Sequence, residues 1–253
     1  MIPASVGFQC PECVRGGPAS LRGPRRIGGL HAAGRRWGPV TLSLIAVNVA
    51  MFLVTAVSAG LLGVSPLDNY RSPVFGALSQ VPFLVDAGQW WRLITAAFLH
   101  IGPIHLVLNM LALLVFGSEL ERQLGRGRFL ALYLLSVLGG AAAVQVLGDP
   151  GSAVAGASTA IYGLLGGLGV LLLVRRQDVR GLLTLLAINV FISFLPGVSL
   201  LGHLGGLVAG ALTAGVFVLT RGRDRLQIAA LVLLAAVLLI LCLTVPSLAV
   251  VGG

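Results

Sequence analysis

Lysine is absent from this chain of 253 residues, and its acidic side chains number only eight. Charged residues of both signs make up 10% of the sequence, against about 25% in a water-soluble domain. A soluble globular fold is excluded on that ground. The cysteines are three, Cys10, Cys13 and Cys242, too few and too scattered for a disulfide framework. Residues 1–38 are rich in Gly, Pro and Arg and lack an apolar core with a cleavage site, so no signal peptide is expected.

What the chain has instead is apolar length. Hydrophobic residues make up 57%, glycine contributes 35 positions, and the mean hydropathy is +1.00. Apolar runs of about 20 residues recur, each long enough to cross a hydrocarbon core of about 30 Å. Seven candidate spans follow, at 39–62, 104–121, 128–148, 154–174, 181–196, 198–219 and 226–246. The fifth turns into the sixth at Pro196-Gly197. The expected fold class is an all-α polytopic membrane bundle. Its glycines suit close helix–helix approach.

The basic residues set the topology. All 17 are arginines, giving a net charge of +9. Fifteen of them fall before span one and in the connections after spans two, four and six; only Arg71 and Arg92 lie on the opposite side. Short clusters between apolar runs are a positive-inside signal rather than a nucleic-acid stripe, so no nucleic-acid partner is expected. The N-terminus is expected in the cytoplasm and the C-terminus outside.

Polar residues inside apolar spans are costly and tend to mark function. His105 and Asn109 lie in span two, Ser158 in span four and His203 in span six. These three spans run in the same direction, and each residue follows its outer boundary closely. All four therefore sit at one depth, roughly 5–12 Å below the outer surface at 1.5 Å per residue. A serine needs a neighbouring base to become a nucleophile, and His203 is the histidine available in a later span. Gly163 with Gly167 and Gly206 with Gly210 form GxxxG faces that would bring spans four and six together. No Asp or Glu lies at that depth in spans two, four or six, so a serine–histidine dyad is expected rather than a triad. His105 and Asn109, four apart, share a helix face from which they can donate to a developing oxyanion, together with the Ser158 N–H.

Each residue alone has a structural explanation. A serine in a membrane helix commonly bonds back to the preceding turn, and histidine, asparagine or GxxxG pairs commonly hold helices together. Their coincidence at one depth points to chemistry. A solute transporter would call for inverted repeats, which the sequence lacks.

With these residues in place, the chain resembles the rhomboid intramembrane serine proteases over roughly residues 40–220. The resemblance rests on His105-x-x-x-Asn109, Gly-Ala-Ser158 and Gly202-His203-Leu204-Gly205-Gly206. It extends to Trp91-Arg92, which looks like the tryptophan–arginine pair of that family's first loop, and to His100. It implies Ser158 as nucleophile and His203 as general base, with an oxyanion hole of His105, Asn109 and the Ser158 N–H. It further implies that Tyr162 packs on the His203 ring and that Gly156 leaves room at the substrate face. The implied partners are the lipid bilayer and single-span membrane protein substrates cut near their outer ends. No cofactor is implied for catalysis. The seventh span resembles a variant with one helix appended to a six-helix core, in a bacterial plasma membrane. The expected division is 1–38 as a cytoplasmic region, 39–220 as the protease core and 221–253 as the appended helix and tail. A non-catalytic rhomboid-like protein that captures membrane clients is the alternative; such relatives typically lack the serine or the histidine.

The N-terminal Cys10-Pro-Glu-Cys13 is half of a four-cysteine zinc site, and zinc needs four ligands. It looks like the last knuckle of the zinc-ribbon-like region some rhomboids carry. A start at an internal methionine, a vestigial motif and a site shared between two chains remain open, and zinc on these two cysteines alone is not expected.

Overall fold

In the computed structural model, residues 36–194 and 198–247 are described, with Ile2–Pro3 and Phe8–Gln9. The chain divides into two units, Met1–Arg36 and Trp37–Gly253. In the first, Ile2–Pro3 and Phe8–Gln9 pair antiparallel, with Ile2 opposite Gln9. Cys10, Cys13 and the Pro196-Gly197 turn lie outside the described residues.

The second unit is a helical membrane bundle. Its helices are α1 (Pro39–Gly60), α2 (Gly102–Leu124), α3 (Arg126–Leu147), α4 (Ser158–Val174), α5 (Arg180–Ile192), α6 (Leu200–Leu219) and α7 (Asp224–Thr244). Five are long and apolar enough to cross a membrane, and α4 and α5 are shorter apolar helices. Six helices form the core, and α7 is appended to it. The protein is a multi-pass integral membrane protein.

A glycine-lined contact of three helices makes the centre. α3 is the most deeply buried of the long helices, with Phe129, Leu132 and Tyr133 fully enclosed. A Cβ added to Gly205 of α6 would lie 2.5 Å from the Gly139 carbonyl oxygen of α3. One at Gly163 of α4 would lie 2.8 Å from the Gly206 carbonyl oxygen of α6, and Gly210 abuts the Gly163 carbonyl still more closely. A Cβ at Gly167 meets Leu132 of α3 at 3.0 Å. Backbones this close leave no space for side chains, and dispersion between them replaces the hydrophobic effect that lipid cannot supply. The GxxxG pattern pointed to α4 and α6; Gly139 and Gly140 bring α3 into the same contact.

A buried carboxylate sets the start of α1. Gly38, at φ 81°, turns the chain into Pro39. Glu121, from the far end of α2, accepts from the Val40 N–H at 3.1 Å and from the Thr41 N–H and hydroxyl at 2.8 Å each. It therefore does the work of a cap for two N–H groups that have no intrahelical acceptor. Glu121→Ala leaves three donors unsatisfied at a buried position. The expected cost is about 2–3 kcal/mol, read as a lower midpoint of thermal unfolding in detergent.

Residues 61–101 form a folded loop of short helical turns: Pro66–Arg71, Pro73–Leu78, Pro82–Asp86, Arg92–Thr95 and Ala96–Phe98. The first three begin at proline, whose fixed φ suits a first helical position and whose missing N–H costs nothing there. Arg92, only 4% exposed, knots the loop by donating to the Gly76 and Ser79 carbonyls at 2.7 and 2.6 Å and to Gln89 at 2.8 Å. The Trp91 indole donates to the Ala77 carbonyl, while Trp90 is 64% exposed, an arrangement suited to the headgroup layer.

α7 is clamped at both ends. Gln227 donates to Thr220 and accepts from Arg128 of α3. Beyond its other end, the Ser247 N–H and hydroxyl donate to Asp86 of the folded loop, whose second oxygen accepts from Gln145 of α3.

The fourth span is shorter than its hydropathy predicts. The helix begins at Ser158, not at 154, and Val154 lies in a strand-like bridge before it. Val154 pairs antiparallel with Gln80, and the Gly156 N–H donates to the Ala96 carbonyl at 2.9 Å. Those amides find their partners in the folded loop, so no helix is needed to satisfy them. An apolar composition alone does not distinguish the two solutions.

Candidate active site

Ser158 owes its position to that early break. α4 has 17 residues and so covers about 25 Å, less than the roughly 30 Å of a hydrocarbon core. Arg175 and Arg176 follow at its far end, which leaves Ser158 recessed below the opposite surface. As the first residue of α4, Ser158 has a backbone N–H without an intrahelical acceptor, at the positive end of the helix dipole.

The Ser158 hydroxyl lies 2.8 Å from Nε2 of His203 on α6. The imidazole, 6% exposed, stacks on the Tyr162 ring one turn along α4, with centroids 4.1 Å apart and planes 11° from parallel. Its other nitrogen, Nδ1, is 2.6 Å from the Ser193 hydroxyl at the end of α5. Tyr162 OH is 2.8 Å from the same oxygen. No carboxylate is hydrogen-bonded to His203 among the described residues.

On α2, Nδ1 of His105 accepts from the Ile101 N–H at 3.2 Å, which puts the ring proton on Nε2. That nitrogen faces Gly156. A Cβ built there would sit 3.1 Å from His105 Nε2 and 3.4 Å from the Ser158 oxygen. Gly156, at φ 137°, thus holds open a gap between donor and serine. Asn109 is turned partly back on its own helix: Nδ2 donates to the His105 carbonyl at 2.8 Å, leaving one amide hydrogen for the site, while Oδ1 has no partner. His100, fully buried, meets the His105 ring edge-on at 5.1 Å. Burial, with His105 beside it, pushes the His100 imidazole down to about 3, so it stays neutral at physiological pH.

Three positions that motif reading passed over complete the surroundings. Asn69 of the folded loop donates to Thr55 of α1 and to the His100 carbonyl, and accepts from the Gly102 N–H. It so fixes the turn that leads into His105. Gln80 donates to the Ala141 carbonyl and pairs with Val154, fixing the strand that leads into Ser158. Ser193 is the third; Thr184 and Asn189 are polar residues of the same apolar span, so nothing in the sequence singled it out. Trp91 and Arg92 lie in the folded loop and make no hydrogen bond to Ser158 or His203. Among the described residues, no group of three or more His, Cys, Asp or Glu could hold a metal ion.

Comparison with known proteins agrees in extent with the residues that build this site. The family model described as the Rhomboid domain matches residues 87–220, from the folded loop to the end of α6. The chain is 35% identical over 217 residues to rhomboid protease GluP of Bacillus subtilis, covering 82% of this chain and 41% of that protein. It is 38% identical over 135 residues to RHOMBOID-like protein 5 of Arabidopsis thaliana, covering 50% of this chain and 44% of the relative. Against RHOMBOID-like protein 6, mitochondrial, of the same plant the identity is 32% over 213 residues, with 71% and 69% covered. The chain thus spans less than half of the first two relatives and about two thirds of the third. A family match that runs through all three site-bearing helices, with relatives this similar over most of the chain, makes this protein a member of the rhomboid family.

Proposed function

We propose that this protein is a serine endopeptidase that cleaves membrane-spanning substrates within the bilayer, with Ser158 and His203 as its dyad. The observation that carries the reading is the 2.8 Å approach of the Ser158 hydroxyl to His203 Nε2 at the recessed start of α4. Similarity to a protein named rhomboid protease supports it.

His203 Nε2 takes the Ser158 proton as the hydroxyl oxygen attacks the scissile carbonyl carbon. The carbonyl π pair moves to oxygen, and the tetrahedral oxyanion forms beside three donors: the Ser158 N–H, His105 Nε2–H and the remaining Asn109 amide hydrogen. Each such donor contributes on the order of 3–4 kcal/mol to the barrier reduction. The intermediate collapses as the C–N bond breaks, and the His203 imidazolium passes its proton to the leaving amine. Water then repeats the sequence on the Ser158 ester and releases the second product. A substrate helix hides its carbonyls, so local unwinding precedes attack. Gly, Pro and other weak helix formers near the scissile bond lower that cost.

The same reading puts the arginine-rich side in the cytoplasm, the N-terminus with it, and the C-terminus and the catalytic recess on the outer side of the plasma membrane. Residues 39–220 form the protease core, and 221–253 form the appended helix and tail. Cleavage falls near the outer end of a single-span substrate.

The test is covalent. A fluorophosphonate probe in liposomes is expected to label the wild-type protein and to leave Ser158→Ala unlabelled. A folded wild-type protein that neither labels nor cuts a model transmembrane substrate would overturn the reading in favour of client binding without catalysis.

A further inference from the structure

Ser193 is buried and meets three polar neighbours with one proton to give. Its hydroxyl oxygen lies 2.6 Å from His203 Nδ1, 2.8 Å from Tyr162 OH and 2.9 Å from the Asn189 carbonyl. The carbonyl can only accept, whereas the phenol and a protonated Nδ1 can each donate. The assignment that satisfies all three contacts sends the Ser193 proton to Asn189 O. Tyr162 and His203 Nδ1–H then both donate to the Ser193 oxygen. With its proton on Nδ1, His203 presents a bare Nε2 to the Ser158 hydroxyl 2.8 Å away. The opposite tautomer would carry a proton on Nε2 and could not act as a base. Building on the proposed Ser158–His203 dyad, we infer that Ser193 is the positioning residue that holds His203 in its basic tautomer and orientation, the place a carboxylate fills in a triad.

Two further observations support the assignment. Tyr162 clamps the face of the imidazole by stacking, which leaves rotation in the ring plane unrestrained; an acceptor at Nδ1 restrains that rotation. α5 itself is shallowly seated. No residue of 180–191 is buried, while Ser193 is 3% exposed. The hydroxyl is therefore the inward polar contact of a lipid-facing helix. An α5 displaced from the bundle would withdraw the acceptor, so the base is fully oriented only with α5 seated. The neutral hydroxyl also accepts from Nδ1–H once His203 is protonated, favouring the imidazolium without the permanent negative charge a carboxylate would place there.

The experiment compares Ser193→Ala, Ser193→Thr, Ser158→Ala and the wild type in liposomes. It measures kcat and KM on a model transmembrane substrate, the rate of fluorophosphonate labelling, and thermal stability in detergent. Ser193→Ala is expected to lower kcat about tenfold, the upper range for one hydrogen bond, with KM changed less than twofold. Its labelling should slow by the same factor. Ser193→Thr, which keeps the hydroxyl, should recover kcat to within about threefold of wild type. A merely structural role predicts instead a loss that follows stability and is shared by both variants; that result, or an alanine variant with wild-type kcat, overturns the proposal. Retained activity in Ser158→Ala would overturn the dyad itself, a failure distinct from that of Ser193.

Discussion

Alanine at Ser158, alanine at His203, and alanine at both are expected to lower kcat by about the same factor, on the order of 10⁴–10⁶. The reason lies in how the two side chains share one proton. Without His203, Ser158 keeps its proton and is a weak nucleophile; without Ser158, an oriented His203 has nothing to activate. Each single substitution therefore removes nearly everything the pair contributes, and the second removes little more. The residual rate comes from the oxyanion donors and from substrate positioning, which neither change touches directly. The check is single-turnover cleavage of a model transmembrane substrate by the three variants, with binding measured separately on uncleaved material. Multiplicative losses, with the double variant far below either single one, would mean that the two residues act in separate steps. His203→Ala also removes the stacking partner of Tyr162 at 4.1 Å, so its thermal midpoint should be recorded beside its activity.

Gly156→Ala is the second large effect, and it works by occupying space. The added Cβ would fall 2.9 Å from His105 Cε1 and 3.4 Å from the Ser158 oxygen. It would fill the gap a scissile carbonyl must enter. The backbone there is at φ 137°, a region L-residues avoid, at a cost of about 1–3 kcal/mol. The Gly156 N–H is also tied to the Ala96 carbonyl, so the segment has little freedom to relax. A fall in kcat/KM of about 10²–10³ is expected, comparable to losing one oxyanion donor. Labelling by a compact fluorophosphonate should fall less than cleavage of a transmembrane substrate, because the smaller reagent needs less of the gap. Equal losses with both would point to backbone strain rather than to blocked access.

The two effects separate the roles of neighbouring positions on one short segment. In the proposed reaction Ser158 supplies the atom that reacts, and Gly156 supplies the absence of one. Between them the chain turns into the helix, which leaves the Ser158 N–H without an intrahelical acceptor. Glu121, Asn69 and Arg92 work farther out, satisfying backbone groups at the start of a helix or within the folded loop, and Gln80 ties that loop to the Ala141 carbonyl inside α3. Their loss is expected first in stability, and in activity only through the position of what they hold.

By itself the sequence determined the membrane class and the all-helical fold, and it set the expectations of seven spans, of which five are helices long and apolar enough to cross a membrane, and of a common depth for His105, Asn109, Ser158 and His203. These follow from quantities that add up along the chain: apolar length against bilayer thickness, arginine placement, and rise per residue from a boundary. It also made α4 and α6 close neighbours, because glycines four apart form a flat face wherever the helix goes. Only the tertiary structure decided where α4 begins. Residues 154–157 are apolar enough to continue the helix, and what stops them is the supply of partners from Gln80 and Ala96 in the folded loop. The same holds for Ser193, whose meaning depends on a hydroxyl lying 2.6 Å from an imidazole ten residues later. Hydrogen-bond partners set far apart along the chain leave no periodic trace in composition, because their geometry is created when the helices pack.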